Sequence, residues 1–357
     1  MAGSRLDRIR ERIGSEGLDA LLVTGPQNRQ YLSGFTGSAG MLLITPAEAL
    51  LVTDFRYVEQ ATTQAPLFKV VQHGVPMLGT VRAELEGRGV KRAGFEQDHL
   101  TYGQFLTHRD GLPGIELVPC EGWVEKLRMV KDPTELGHIR AAAAATDAAF
   151  EHILGCLRPG LTEREVALEL EFFLRKQTGG KAAFDVIAAS GPNSSLPHAV
   201  PTDRVLQRGD FVKLDFGASS GYYVADLTRT VVLGEASSEQ RAIYDIVLEA
   251  QLTAIAAVAP GKTGLEVDKV ARAFLTAAGY GENFGHGLGH GIGLVVHESP
   301  RLNTSDETVL QPGMVCTVEP GVYIPNWGGV RIEDDVVVTD KGCEVLTKSR
   351  KDLIVIG

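Results

Sequence analysis

Two stretches of this chain repeat the same local pattern about one hundred residues apart, and an internal duplication restricts the fold more than composition does. Pro159-Gly160-Leu161-Thr162-Glu163-Arg164-Glu165-Val166 aligns with Pro260-Gly261-Lys262-Thr263-Gly264-Leu265-Glu266-Val267. In each copy the threonine stands where a helix N-cap belongs, and the glutamate three residues on completes a capping box. The two helices so opened stop at Gly179 and Gly279. Leu206-Gln207-Arg208-Gly209 then matches Leu310-Gln311-Pro312-Gly313, and six residues beyond each glycine comes a carboxylate, Asp215 or Glu319. Each half reads as helices followed by a carboxylate-bearing hairpin, which predicts a pseudo-twofold site between the halves.

The hairpins carry the chemistry. Residues 211–233, FVKLDFGASSGYYVADLTRTVVL, place two runs rich in Val, Tyr and Thr around a Ser-Ser-Gly turn, with Asp215 and Asp226 equidistant from it. Residues 314–339 place MVCTVEPGVYI and GVRIEDDVVVT around a turn centred near Asn326, with Glu319 and Glu333 equidistant. Directly opposed carboxylates repel across a strand pair, so two such pairs ask for a cation. A solvated acidic face is the plainer explanation, but Asp215 and Glu319 each end an apolar run and belong inside the sheet. Residues 285–298, GHGLGHGIGLVVHE, add His286, His290 and His297 among five glycines, which permit close backbone approach. Solvated loop histidines are the alternative there. Neither a phosphate loop nor a kinase constellation accompanies these glycines or the Asp215-Phe216-Gly217 triplet.

At 357 residues the chain predicts two unequal domains. Residues 1–125 alternate short apolar runs (19–23, 41–44, 49–52 and 68–72) with helical stretches, an α/β layer domain that lacks metal-ligand spacing. A break at 121–131 precedes Asp132-Pro133-Thr134-Glu135, a strong helix start, so residues 126–357 form the second domain. The Arg-containing first residues read as an amphipathic helix on Leu6, Ile9 and Ile13 rather than a transit peptide. A net charge of −10 argues against nucleic acid or an anionic membrane as partner, and no apolar run is long enough for a span. Four cysteines without C-x-x-C spacing predict a reducing, cytoplasmic setting.

Four carboxylates and an imidazole form a hard donor set suited to Mn²⁺, Fe²⁺, Co²⁺ or a catalytic zinc pair. Five ligands exceed one tetrahedral ion, whereas two ions about 3.5–4 Å apart use them all and support metal-assisted hydrolysis. Asp215, Asp226, His290, Glu319 and Glu333, in that order, resemble the five dinuclear-metal ligands of the pita-bread metallopeptidases. SGPNSSLPHAV at 190–200, the histidine segment, VEPGVYI and GGVRIEDDVVV resemble the aminopeptidase P and prolidase branch. NRQYLSGFTGSAG and LLVTDFRYVEQA resemble its creatinase-like N-terminal domain, which methionine aminopeptidases lack. Creatinase itself shares the architecture without the metal ligands.

The resemblance implies an α/β (α+β) protein, with a creatinase-like domain followed by a pseudo-twofold pita-bread domain on a curved antiparallel sheet. It also implies two divalent ions, manganese with Co²⁺ or Zn²⁺ as alternatives: Asp215 chelates one, Asp226 and Glu333 bridge, and His290 and Glu319 hold the other. Glu319 matches a proton shuttle, His198 and His297 substrate-contacting histidines, His286 a residue shaping the proline pocket, and Arg331 one that orients carboxylates. The expected activity is cleavage between an N-terminal residue and proline in peptides by a homodimer or dimer of dimers. A catalytically inactive binding protein is the rival. Residues 34–40 offer no cation to read a dipeptide's carboxylate, which favours longer peptides, although Arg29, Arg56 and Arg331 could serve.

Overall fold

A computed structural model describes residues 2–357, which divide into two compact units with the boundary between Arg128 and Met129. In the first, α1 (Ala2–Ser15), β1 (Ala20–Val23), α2 (Pro26–Ser33), β2 (Met41–Ile44) and β3 (Ala49–Thr53) are followed by α3 (Val58–Gln64) and β4 (Lys69–Gln72). Then come α4 (Met77–Glu86), β5 (Arg92–Glu96), α5 (Tyr102–Gly111), β6 (Glu116–Cys120) and α6 (Trp123–Met129). Six strands form one sheet in the order β4-β3-β2-β1-β5-β6. Leu6, Ile9 and Ile13 of α1 are buried, as the amphipathic reading requires. The helix α6 occupies the segment read as a break, because seven residues are too few to show a helical period.

The second unit begins with α7 (Pro133–Cys156) and α8 (Glu163–Thr178), then β7 (Ile187–Ser190) and β8 (Phe211–Phe216). A small inner hairpin, β9 (Ser219–Ser220) and β10 (Tyr223–Val224), leads to β11 (Leu227–Leu233). The second half opens with α9 (Ser238–Ala257) and α10 (Gly264–Ala277) and continues through β12 (Gly289–Gly291), β13 (Glu298–Leu302) and β14 (Val315–Val318). It ends with β15 (Gly321–Ile324), β16 (Gly328–Arg331), β17 (Asp334–Val338), β18 (Cys343–Val345) and β19 (Val355–Ile356). Phe150, Ile153, Leu170 and Leu174 of the first helix pair pack with Leu214, Phe216 and Val231 of the first sheet. Tyr244, Val247, Val267 and Leu275 pack with Val318 and Val336 of the second. Among the described residues no helix is long and apolar enough to cross a membrane.

The duplication reappears as matching backbone bonds. Thr162 bridges Val205 as Thr263 bridges Val309. The Gly160 amide donates to Leu206 and the Gly261 amide to Leu310, at 3.0 and 2.9 Å. All three segments named as capping boxes or a helix start, at Asp132, Thr162 and Thr263, form reciprocal caps.

One expectation needs correction. The first hairpin turns at Gly221-Tyr222, both with positive φ, and not at the Ser-Ser-Gly triplet. Tyr223 therefore pairs with Ser220, Leu227 with Phe216, and Asp215 faces Thr228 rather than Asp226. In the second hairpin Gly321 pairs with Arg331 and Val318 with Asp334, so Glu319 and Glu333 do share one register, at the gap where the ladder breaks.

Candidate metal centre

The breaks in both ladders are where the acids gather. Asp215 lies on β8, Asp226 just before β11, His290 on β12, Glu319 after β14, and Glu333 between β16 and β17. Glycine at 289 and 291 lets β12 fit between its neighbours: a Cβ there would stand 2.0 Å from the Thr317 carbonyl oxygen or 2.3 Å from that of Ser299. The Glu319 amide bonds the Leu288 carbonyl instead of a hairpin partner, and the Glu333 amide bonds the Thr228 carbonyl at 3.1 Å. These departures bring the two halves together at the acids.

One cavity of about 550 Å³ is lined by all nine residues that the sequence assigned to the site: Asp215, Asp226, His290, Glu319, Glu333, His198, His286, His297 and Arg331. Ligand atoms of Asp226, His290 and Glu333 lie within 4.8 Å of one another. His290 Nδ1 sits 3.1 Å from the Gly291 carbonyl, to which it must donate, so Nε2 presents a lone pair. That lone pair faces Asp226 Oδ2 at 3.7 Å and Glu319 Oε1 at 3.4 Å. Three acceptors converging in a buried site call for positive charge between them.

Arg331 supplies only part of it. Its Nη2 pairs with Asp215, its Nε bonds Thr228 Oγ1 at 2.9 Å, and its Nη1 bonds Tyr323 Oη and the Pro197 carbonyl, each at 3.0 Å. Asp226 Oδ1, Glu333 Oε1 and Asp335 Oδ1 are buried and have no hydrogen-bond partner among the described residues. Burial first, and then the neighbouring carboxylates, push Asp226 and Glu333 well above the usual carboxylate range. Burial pushes Glu319 up to about 7 against the pull of Arg331, and His290 down to about 3. Stranded oxygens of this kind are what a divalent cation satisfies, so the residues present fit the group that the donor set implies.

Around the acids, His286 donates from Nδ1 to the Gly287 carbonyl at 2.7 Å and accepts at Nε2 from Tyr323 Oη at 2.9 Å. The His297 ring lies 4.2 Å from that of His290, edge to face. His198 and His297 are exposed at the cavity wall. The sequence reading missed several members of the lining, above all Arg301, with Asn303, Phe184 and Ile187. Strand alternation from His297 through Ser299 to Arg301 was the available signal. It also missed Lys213, fully buried on β8, whose Nζ donates to the Leu196 carbonyl at 2.5 Å and the Pro197 carbonyl at 3.3 Å.

A duplicated unit that closes on a buried set of carboxylates and one imidazole, in an open cavity, defines a metal-dependent hydrolase. Residues 137–340 match metallopeptidase family M24, and residues 5–130 match the creatinase/prolidase N-terminal domain. An Xaa-Pro dipeptidase of Pyrococcus furiosus is 36% identical over 352 residues, covering 98% of this chain and 99% of the relative. The solved structure of an Xaa-Pro dipeptidase from Bacillus anthracis superposes with a TM-score of 0.97 at 48% identity, covering 99% of this chain and 100% of the other. That of an X-Pro aminopeptidase from Thermotoga maritima gives 0.92 at 37%, again covering 99% and 100%. The chain belongs to metallopeptidase family M24, in its aminopeptidase P and prolidase branch. It is an Xaa-Pro peptidase that acts on peptides with divalent metal ions, and its mixed α/β architecture is the creatinase-like and pita-bread pair.

Proposed function

We propose that this chain is an Xaa-Pro dipeptidase whose centre takes two divalent ions, manganese in the cell, on Asp215, Asp226, His290, Glu319 and Glu333. Asp226 and Glu333 are assigned as the bridging pair because each has one buried oxygen without a partner. Bound there, such a pair would polarise the scissile carbonyl and acidify the attacking water. Glu319, raised to about 7 by burial, would take up at Oε the proton that the attacking water gives up and pass it to the proline nitrogen as that bond breaks. His198 and His297, at the cavity wall, donate to the oxyanion that develops on the carbonyl oxygen. His286 and Tyr323 fix the wall against which the pyrrolidine ring packs, and Arg331 orients Asp215. A bond to proline nitrogen has no N–H, and carbonyl activation does not need one.

The observation that carries the dipeptidase reading is Arg301. Its side chain lines the cavity and makes no hydrogen bond or ion pair among the described residues. The sequence favoured longer peptides because residues 34–40 hold no cation; Arg301 provides one within the cavity itself, suited to a free carboxylate. The X-Pro aminopeptidase relative supports the second reading, a peptidase for longer chains. A charge-assisted hydrogen bond contributes about 1.5–3 kcal/mol, so Arg301→Gln should lower kcat/KM for Ala-Pro about tenfold to a hundredfold and barely alter that for Ala-Pro-Ala. A parent enzyme that prefers Ala-Pro-Ala, with Arg301→Gln affecting both substrates alike, makes the aminopeptidase reading correct. We also propose a homodimer that covers the exposed Phe55, Val75 and Tyr102 of the first unit, which light scattering in solution tests.

A further inference from the structure

A second group of metal-ligating side chains lies outside the catalytic cavity, on the outer helices of the first half. His152 and Cys156 are four residues apart near the end of α7, hence on one face, and Glu169 projects from α8. One donor atom from each lies within 4.8 Å of the other two. His152 Nε2 stands 3.7 Å from Cys156 Sγ and 2.6 Å from Glu169 Oε1. Nitrogen and sulfur ligands of one tetrahedral zinc ion, at about 2.0 and 2.3 Å from it, stand about 3.5 Å apart, so the nitrogen and sulfur are already at ligand separation. The carboxylate needs to retreat by about 1 Å, which a half-exposed glutamate allows.

Two further features favour an ion there. The His152 ring is stacked on Phe173 at 4.2 Å with 13° between planes, which fixes the direction of Nε2. A surface cavity of about 410 Å³ lined by Cys156 and Glu169 leaves room for a water as fourth ligand. Among the described residues the other such cluster outside the catalytic centre is Glu96, His99 and Glu125, whose acids are more heavily bonded than Glu169 with its one partner, His152. Its carboxylates already accept from the Thr24 and Gly25 amides, Asn28 and His99.

The geometry points to a peripheral site at His152, Cys156 and Glu169 that takes a thiophilic divalent ion of the zinc class and ties the end of α7 to α8. Its sulfur sets it apart from the all-oxygen-and-nitrogen catalytic set, so the two sites should sort metals differently: manganese to the cavity, zinc to the helices.

The test uses the full-length protein stripped of metal and titrated with Co²⁺. Only a sulfur-ligated ion gives a thiolate-to-cobalt charge-transfer band in the near ultraviolet, so the catalytic ions are silent in this readout. The band should appear in the parent, vanish in Cys156→Ala and weaken in His152→Ala, with Mn²⁺-supported peptidase activity unchanged in both variants. Zn²⁺ should displace the band and slow modification of Cys156 by a thiol reagent about tenfold, because ligation removes the free thiolate. No band in the parent, or a band that survives in Cys156→Ala, overturns the site, whatever the outcome for the catalytic centre.

Discussion

Thr228 donates its hydroxyl to Glu333 Oε2 at 2.6 Å, and Asp335 accepts the amide of Asp226 at 3.0 Å. The residue two positions beyond each central acid reaches the other half, in one case by donating to the Glu333 carboxylate and in the other by accepting from the Asp226 backbone amide. The duplication thus extends to the residues that hold the acids in place. Thr228 has a double duty, since its oxygen also accepts from Arg331 Nε at 2.9 Å.

Thr228→Val keeps the shape and removes both bonds. Loss of a group that orients a metal ligand typically costs about tenfold to a hundredfold in metal affinity or activity. We expect the variant to fold, to need more Mn²⁺ for half-maximal activity by that factor, and to approach parental turnover at saturating metal. An unchanged metal titration would mean that Glu333 does not hold an ion.

Ligand assignment is tested by counting metal. If Glu333 bridges, Glu333→Ala should leave one ion or none per chain, whereas His290→Ala should leave the other ion partly bound. Chelation should abolish activity in the parent, and Mn²⁺ or Co²⁺ should restore it. Activity that persists in excess chelator, or equal metal content in both variants and parent, shows the assignment to be wrong.

How far the sequence reveals this site depends on what kind of signal each residue leaves. Asp215, Asp226, Glu319 and Glu333 stand out because acids in apolar strands conflict with burial. Their geometry is less legible, because pairing in a hairpin depends on which two residues take the turn. At Gly221-Tyr222 a shift of one residue moved Asp226 off Asp215. β5 and β6 were missed because Gly94 and Pro119 interrupt their apolar pattern: Pro119 is tolerated on an edge strand, and a Cβ at Gly94 would meet Cys120 Sγ at 2.7 Å. Lys213 left no signal of its own in the sequence, and only the fold shows its amine turned onto two carbonyls.

That lysine suggests a positioning experiment. Lys213 Nζ and Arg331 Nη1 both bond the Pro197 carbonyl, immediately before His198. Lys213→Met retains the bulk and loses the amine's two hydrogen bonds to buried carbonyls, together about 1–3 kcal/mol. If they fix His198, kcat/KM should fall about tenfold to a hundredfold with metal content intact, and adding the change to His198→Ala should cost little more. Full additivity in the double variant would separate the lysine from the histidine.

His286 gives the pH prediction. Burial, with Arg331 nearby, lowers its folded-state value from 6.5 to about 4. Between those values the unfolded chain binds a proton that the folded chain refuses, so stability rises with pH across about 4 to 6.5 and levels off above. His286→Gln removes this dependence. The difference in melting temperature between parent and variant should therefore change across that window and stay constant from pH 7 to 8. A constant difference from pH 4 to 8 would place His286 in water in the folded state.

Substrate choice bears most directly on function. The cavity side formed by His198, His286 and His297 is joined by Phe184, Ile187 and Pro197, so the space for the second residue of the substrate has apolar as well as imidazole walls. A pyrrolidine ring buries more apolar surface there than an alanine methyl. Full burial of an apolar side chain contributes roughly 1.5–3 kcal/mol, which sets the advantage of proline at about tenfold to a hundredfold in kcat/KM. Because proline also fixes the backbone φ, part of the advantage should appear in kcat, through a substrate carbonyl already directed at the metal centre. We expect Ala-Pro to exceed Ala-Ala by that factor, and His286→Ala to narrow the ratio by loosening the wall that Tyr323 holds at 2.9 Å. Comparable rates for Ala-Pro and Ala-Ala in the parent would show that these walls do not select the ring.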